Sequence, residues 1–152
     1  MPVGLDTSGY RRRLPHLSKR GKTYYVTFCT RHRLVLSPQA RDEAFASCIY
    51  DHGKRCWVTC AVVMPDHVHL ILTPFEEESV TKIVGSIKGA SGFRINHLLG
   101  RRGSFWQEES FDRIVRRGDN LFKKAEYIAA NPVRAGLARS PEEYRWLWRA
   151  TG

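Results

Sequence analysis

Residues 62–74 read V-V-M-P-D-H-V-H-L-I-L-T-P: an apolar run, a turn at Pro65 and Asp66, and a second run in which His67 and His69 alternate with Val68 and Leu70. In an extended chain, successive side chains point to opposite faces. Val68 and Leu70 can therefore enter a core while both imidazoles face a common point outside it. Two readings fit this spacing: a pair of prongs for a divalent cation, or ordinary polar positions on a half-buried strand. A group from elsewhere in the chain has to decide between them.

Outward from this hairpin, which the pattern places at Trp57–Met64 and His67–Thr73, strands and helices alternate. Tyr24–Thr30 is aromatic and β-branched and predicts a strand. Ser37 followed by Pro38 supplies a hydroxyl cap and a first-turn proline, and Ala44, Phe45, Cys48 and Ile49 recur with helical period until Gly53. Ser79 caps a second helix whose Val80, Ile83, Val84, Ile87, Ile95 and Leu98 form one stripe, ending near Gly100. Phe111–Arg116 predicts another strand. Asp119 opens a third helix, closed at Asn131 by Pro132. This order predicts an α+β fold: a ferredoxin-like antiparallel sheet with helices packed on it and one further helix.

A chain of 152 residues suits one domain. The first strand signal divides it into a basic N-terminal arm, 1–22, and a domain, 23–152. The formal net charge of +10 suggests a polyanion as partner, nucleic acid above all, because each phosphate contact releases condensed counterions. Arg11, Arg12, Arg13, Lys19 and Arg20 concentrate charge in the arm, and Arg101 and Arg102 carry it to a later turn. A solvated basic surface without a ligand is the plainer alternative. No run approaches the roughly 18 apolar residues that span a bilayer, so a soluble, cytoplasmic protein without a membrane partner is expected. The four cysteines, Cys29, Cys48, Cys56 and Cys60, form no C-x-x-C pair and read as reduced thiols. Cys56 and Cys60, close before the histidines, keep a zinc site open.

At about 100° per residue, Leu121, Phe122, Ala125, Ile128 and Ala129 gather into one apolar stripe of the third helix. Tyr127 points nearly opposite, among Asn120, Lys123, Lys124 and Asn131. An outward tyrosine on a basic surface is a candidate nucleophile or a platform for base stacking. Asn131, one turn on, either offers its amide oxygen to a metal or simply ends the helix.

Three stretches in order, HVH after VVMPD, WQ at Trp106 and Gln107 followed by ESFDRIVR, and EYIAANPVRAGL around Tyr127, resemble the single-tyrosine HUH transposases, and among them the REP-associated tyrosine transposases of bacteria. The similarity runs from about Tyr10 to about Trp148. It implies the HUH endonuclease variant of the ferredoxin-like fold, hairpin-bearing or palindromic single-stranded DNA as partner, and Mg²⁺ or Mn²⁺ as cofactor. Carried over position by position, it makes His67 and His69 metal ligands, Tyr127 the nucleophile and Asn131 the third ligand. Insertion-sequence relatives usually place glutamine at that last position. After EYRW the chain also departs from the family pattern with Leu147 and Trp148.

The activity so implied is a metal-dependent single-stranded DNA endonuclease and strand transferase that works through a covalent 5′-phosphotyrosine, nicking and rejoining DNA. A phenol is a poor nucleophile at neutral pH, so the metal or Lys123 and Lys124 would have to favour the phenolate. In this reading Arg11, Arg12, Arg13, Lys19, Arg20, Arg101, Arg102, Lys123 and Lys124 hold DNA. The alternatives are a domesticated, non-catalytic binder of structured single strands and a zinc-dependent hydrolase. Both a homodimer and a monomer are compatible with the sequence.

Overall fold

The alternation of Tyr24–Cys29 (β1) sends Val26 and Phe28 into the core and leaves Tyr25 and Thr27 on the opposite face. The same division runs through the whole sheet. The structure is a computed structural model and describes residues 21–116 and 120–150. Arg11, Arg12, Arg13, Lys19 and Arg20, nearly the whole expected arm, lie outside the described residues.

After β1 the elements are α1 (Pro38–Tyr50), β2 (Cys56–Val63), β3 (His67–Pro74), α2 (Val80–Leu99), β4 (Phe111–Ile114), α3 (Leu121–Ala129), α4 (Asn131–Arg134) and β5 (Leu147–Arg149). The strands form one five-stranded antiparallel sheet in the order β4-β1-β3-β2-β5. The first four strands have the ferredoxin-like order expected from the sequence. Ser37 and Ser79 cap α1 and α2 by accepting from the amides of Ala40 and Lys82, and Gly100 closes α2 in the left-handed region at φ 66°. Asn120 caps α3 in the same way, accepting from the Lys123 amide, while Asp119, the expected opening residue, lies outside the described residues.

One face of the sheet, with Val26, Phe28, Val58, Val68, Leu70 and Leu72, is covered by α1 and α2. The other, with Cys60, Val62 and Ile71, is covered by Leu121, Ala125, Ile128 and Ala129 of α3. Two positions depart from their expected stripes: Leu98 is exposed near the end of α2, and so is Phe122 in the first turn of α3.

Trp106 and Gln107 turn out to fasten the fold. The Trp106 indole is buried and donates to the Ser91 hydroxyl at 2.9 Å, while the Gln107 backbone amide donates to the Cys29 carbonyl at 2.8 Å. The departure at Leu147 and Trp148 is structural as well, because these residues build β5 on the edge of β2, a strand the sequence pattern did not predict. Just before it, the buried Tyr144 hydroxyl donates to the Val63 carbonyl at 2.6 Å. Among the described residues no helix is long and apolar enough to cross a membrane.

Candidate active site

His67 and His69 stand on the face of β3 that α3 covers only in part, while Val68 and Leu70 are fully buried on the other face. Their rings lie 4.8 Å apart between centroids and nearly perpendicular, at 87°. Each Nδ1 is engaged. The His67 Nδ1 lies 2.8 Å from the Asp66 carboxylate, which can only accept, so this nitrogen donates and the Nε2 edge of the ring is turned away from that bond. The His69 Nδ1 meets the hydroxyls of Tyr25 at 3.0 Å and Thr27 at 3.1 Å, supplied by the neighbouring strand, where Thr27 is the direct partner of His69.

Electrostatics reinforce this pattern. Burial first, and then the charges of His67 and Arg134, push the His69 imidazole down to about 4, so it is neutral at physiological pH. Burial works to raise the Asp66 carboxyl, but hydrogen bonds from Arg33 and His67 outweigh it and hold that group below its usual range. Arg33 grips Asp66 through Nε at 3.0 Å and Nη2 at 3.2 Å. It does so from a turn in which His32 and Arg33 both adopt positive φ, 57° and 52°, a strained conformation for residues other than glycine.

Tyr127 faces outward from α3 and is 64% exposed, as its helical phase predicts. Asn131 corrects the expectation for the helix end. It does not close α3 but opens α4, with Pro132 buried in the first turn where its missing N–H is harmless. The Asn131 Oδ1 accepts from the Arg134 guanidinium, which lies 3.9 Å above the Tyr127 ring. Lys124, on the same helix, places its ammonium 5.5 Å from the Tyr25 ring, whose hydroxyl meets His69. The α3–α4 segment thus sets Lys124 by the tyrosine that meets His69 and brings Arg134 close enough for its charge to act on His69, with Tyr127 and Asn131 both held against Arg134.

The zinc reading is corrected by a bulge. The β2–β3 register shifts between Val58 and Cys60, so Cys56 packs with α1 and α2 while Cys60 packs under α3. The two thiols therefore sit on opposite faces of the sheet and cannot join the histidines around one ion. Burial also pushes both up to about 12, far from the thiolate a metal requires. Among the described residues no three His, Cys, Asp or Glu side chains are grouped to hold a metal, so an ion here would rely on two imidazoles and non-carboxylate oxygens.

The sequence comparison decides the family. The family model for IS200-like transposases matches residues 18–131. The chain belongs to the IS200-like transposase family. Membership gives it a transposase-like, DNA-processing role. No curated protein matches this transposase. Among solved structures, a REP-associated tyrosine transposase bound to a REP hairpin is similar over 92% of this chain and 81% of that one, with a TM-score of 0.65 and 23% identity. A protein of Deinococcus radiodurans R1 assigned as a transposase is similar over 84% of this chain and 95% of that one, with a TM-score of 0.51 and 21% identity. At these identities the similarities establish the fold.

Several residues of the candidate site escaped the sequence reading. Tyr25 and Thr27 could have been found from the period-two alternation of β1, which places them opposite Val26 and Phe28. Arg134 lies two helical turns after Tyr127 and so shares its face. Asp66 and Arg33 carry no local signal, because their partnership spans 33 residues. Of the cations expected to hold DNA, Lys124 lies at the site, Lys123 is exposed on the same helix, and Arg101 and Arg102 are exposed after α2, with the Arg101 guanidinium 5.4 Å from the Phe105 ring.

Proposed function

We propose that this transposase is a metal-dependent endonuclease and strand transferase for hairpin-bearing single-stranded DNA, with Tyr127 as the nucleophile. One observation carries the reading: Arg134 stacks on a solvent-facing tyrosine and its charge also acts on His69, one of a pair of adjacent imidazoles whose Nδ1 atoms have hydrogen-bond partners.

The histidines fit a divalent cation such as Mg²⁺ or Mn²⁺. Both Nε2 edges are left for it by the Nδ1 bonds, and partners of this kind are what orient metal-ligating imidazoles. Asn131 offers its Oδ1, which retains a second lone pair beside the bond from Arg134. When bound, such an ion supplies Lewis-acid stabilisation of the scissile phosphate. The chain itself supplies the nucleophile. The Tyr127 oxygen forms a bond to phosphorus and loses its proton, the bond from phosphorus to the 3′ oxygen breaks, and that oxygen takes up a proton. A 5′-phosphotyrosine and a free 3′-hydroxyl result. Attack by a 3′-hydroxyl on the same phosphorus reverses the exchange and rejoins a strand, because one phosphodiester replaces another.

The test is an adduct gel. Incubated with hairpin-bearing single strands and Mn²⁺ and then denatured, the intact protein should give a covalent protein–DNA band. Tyr127→Phe should abolish the band while DNA affinity stays within about three-fold, since the ring remains. An adduct that survives the substitution sinks the assignment of Tyr127. Tight binding with no adduct from the intact protein would leave a non-catalytic DNA binder.

A further inference from the structure

Tyr127, Asn131 and Arg134 occupy positions i, i+4 and i+7 of a nearly continuous helical path, because Ala130, which joins α3 to α4, is itself in the right-handed helical region. Their side chains accordingly lie along one face, with the guanidinium over the phenol ring and bonded to the amide. Four arginines of the fold are neutralised, Arg33 by Asp66, Arg55 by Asp51 and Glu78, Arg145 by Asp42, and Arg149 by Glu126 and Glu142, whereas Arg134 belongs to those that are not. Among the described residues Arg134 has no carboxylate within ion-pair distance, although it is exposed. Stacking and one hydrogen bond fix the plane of its fork and leave the remaining N–H groups and the whole charge for an anion.

We propose that Arg134 is a catalytic residue that donates hydrogen bonds to a non-bridging oxygen of the scissile phosphate while Tyr127 attacks it. The ligand is a phosphodiester anion, and the planar fork suits it. This assignment rests on the proposed strand-transfer activity. A cation held beside both nucleophile and phosphate stabilises the charge that accumulates as the pentavalent transition state forms, and it acts there with little reorganisation.

The experiment compares Arg134→Ala, Arg134→Gln and Arg134→Lys with the full chain, measuring single-turnover cleavage at saturating DNA with Mn²⁺, DNA affinity and melting temperature. Ala and Gln should each lower the saturated rate about 100-fold, the scale seen when one such donor is removed. Lys, which keeps the charge, should recover to within about ten-fold of the intact protein. Affinity and melting temperature should change little, because the side chain is exposed and is only one of many cations on the protein. If Ala unfolds the protein, Gln and Lys carry the comparison. An unchanged rate in Ala or Gln overturns the proposal, as does a loss confined to affinity. Equal rates for Gln and Lys overturn it too, because the charge would then be irrelevant. In each of those cases the adduct formed by the intact protein still stands. No adduct from the intact protein overturns both readings.

Discussion

Arg149 Nη1 reaches both carboxylate oxygens of Glu126, at 3.0 and 2.9 Å, and thereby ties β5 to the residue directly before Tyr127. The helix that presents the proposed nucleophile is thus held to the sheet from below by Ile128 and from the side by this ion pair. The Arg149 Nη2 adds Glu142 at 2.8 Å, which extends the tie to the turn before β5.

Arg149→Ala should separate stability from activity. The Glu126 side chain is 43% exposed, so solvent screening leaves the pair worth about 1 kcal/mol or less. Catalytic geometry is more demanding: a displacement of about 1 Å can cost about 100-fold in rate. Urea melts should shift little while saturated cleavage falls about ten-fold or more. An unchanged rate would show that α3 is positioned by its apolar face alone.

His67→Ala and His69→Ala should each abolish most cleavage, and so should chelation by EDTA. Mg²⁺ or Mn²⁺ should restore activity to the chelated intact protein, with Mn²⁺ the better binder through imidazole nitrogen. The measurement is adduct yield against metal concentration, with thermal melts alongside. A variant that melts much earlier yet cleaves normally would make that histidine structural. Stoichiometric zinc in the purified protein, lost on replacing Cys60, would count against an exchangeable ion.

Asp66→Asn tests the partner of His67. It removes the carboxylate that fixes the imidazole tautomer and pairs with Arg33. Loss of such an outer partner costs typically about 10–100-fold in metal affinity or activity. The Mn²⁺ concentration for half-maximal cleavage should rise by that factor, with much of the rate regained at high metal. A metal dependence identical to that of the intact protein would rule out this role.

Deleting residues 1–20 should affect docking and spare chemistry. The arm's arginines and lysines are expected to bind phosphates, which position a strand without reacting with it. On single-stranded DNA the slope of log K against log salt should fall by about 0.7 for each phosphate that the shortened protein no longer neutralises. Single-turnover cleavage at saturating DNA should stay near that of the full chain. The opposite result, an unchanged slope with a collapsed rate, would place the arm in the active site.

The sequence by itself determined what depends on near neighbours in the chain. Val68 and Leu70 enter the core between two outward histidines because a strand alternates, and Tyr127 faces away from Leu121, Ala125 and Ile128 because a helix repeats about every 3.6 residues. Ser37, Ser79 and Gly100 mark helix ends through local hydrogen bonding and backbone conformation. Tertiary structure alone decided the rest. The even spacing of Cys56 and Cys60 would put both on one face of a regular strand, yet the β2–β3 pairing inserts a bulge and parts them. Asn131 reads as a helix end beside Pro132, but that proline is buried at the start of a new helical turn, which carries Arg134 over Tyr127. Asp66 meets Arg33, and Arg149 meets Glu126, only because segments distant in sequence are neighbours in the fold. Periodicity fixes the direction of a side chain relative to its own backbone, whereas which distant group it meets depends on packing that minimises exposed apolar surface over the whole chain.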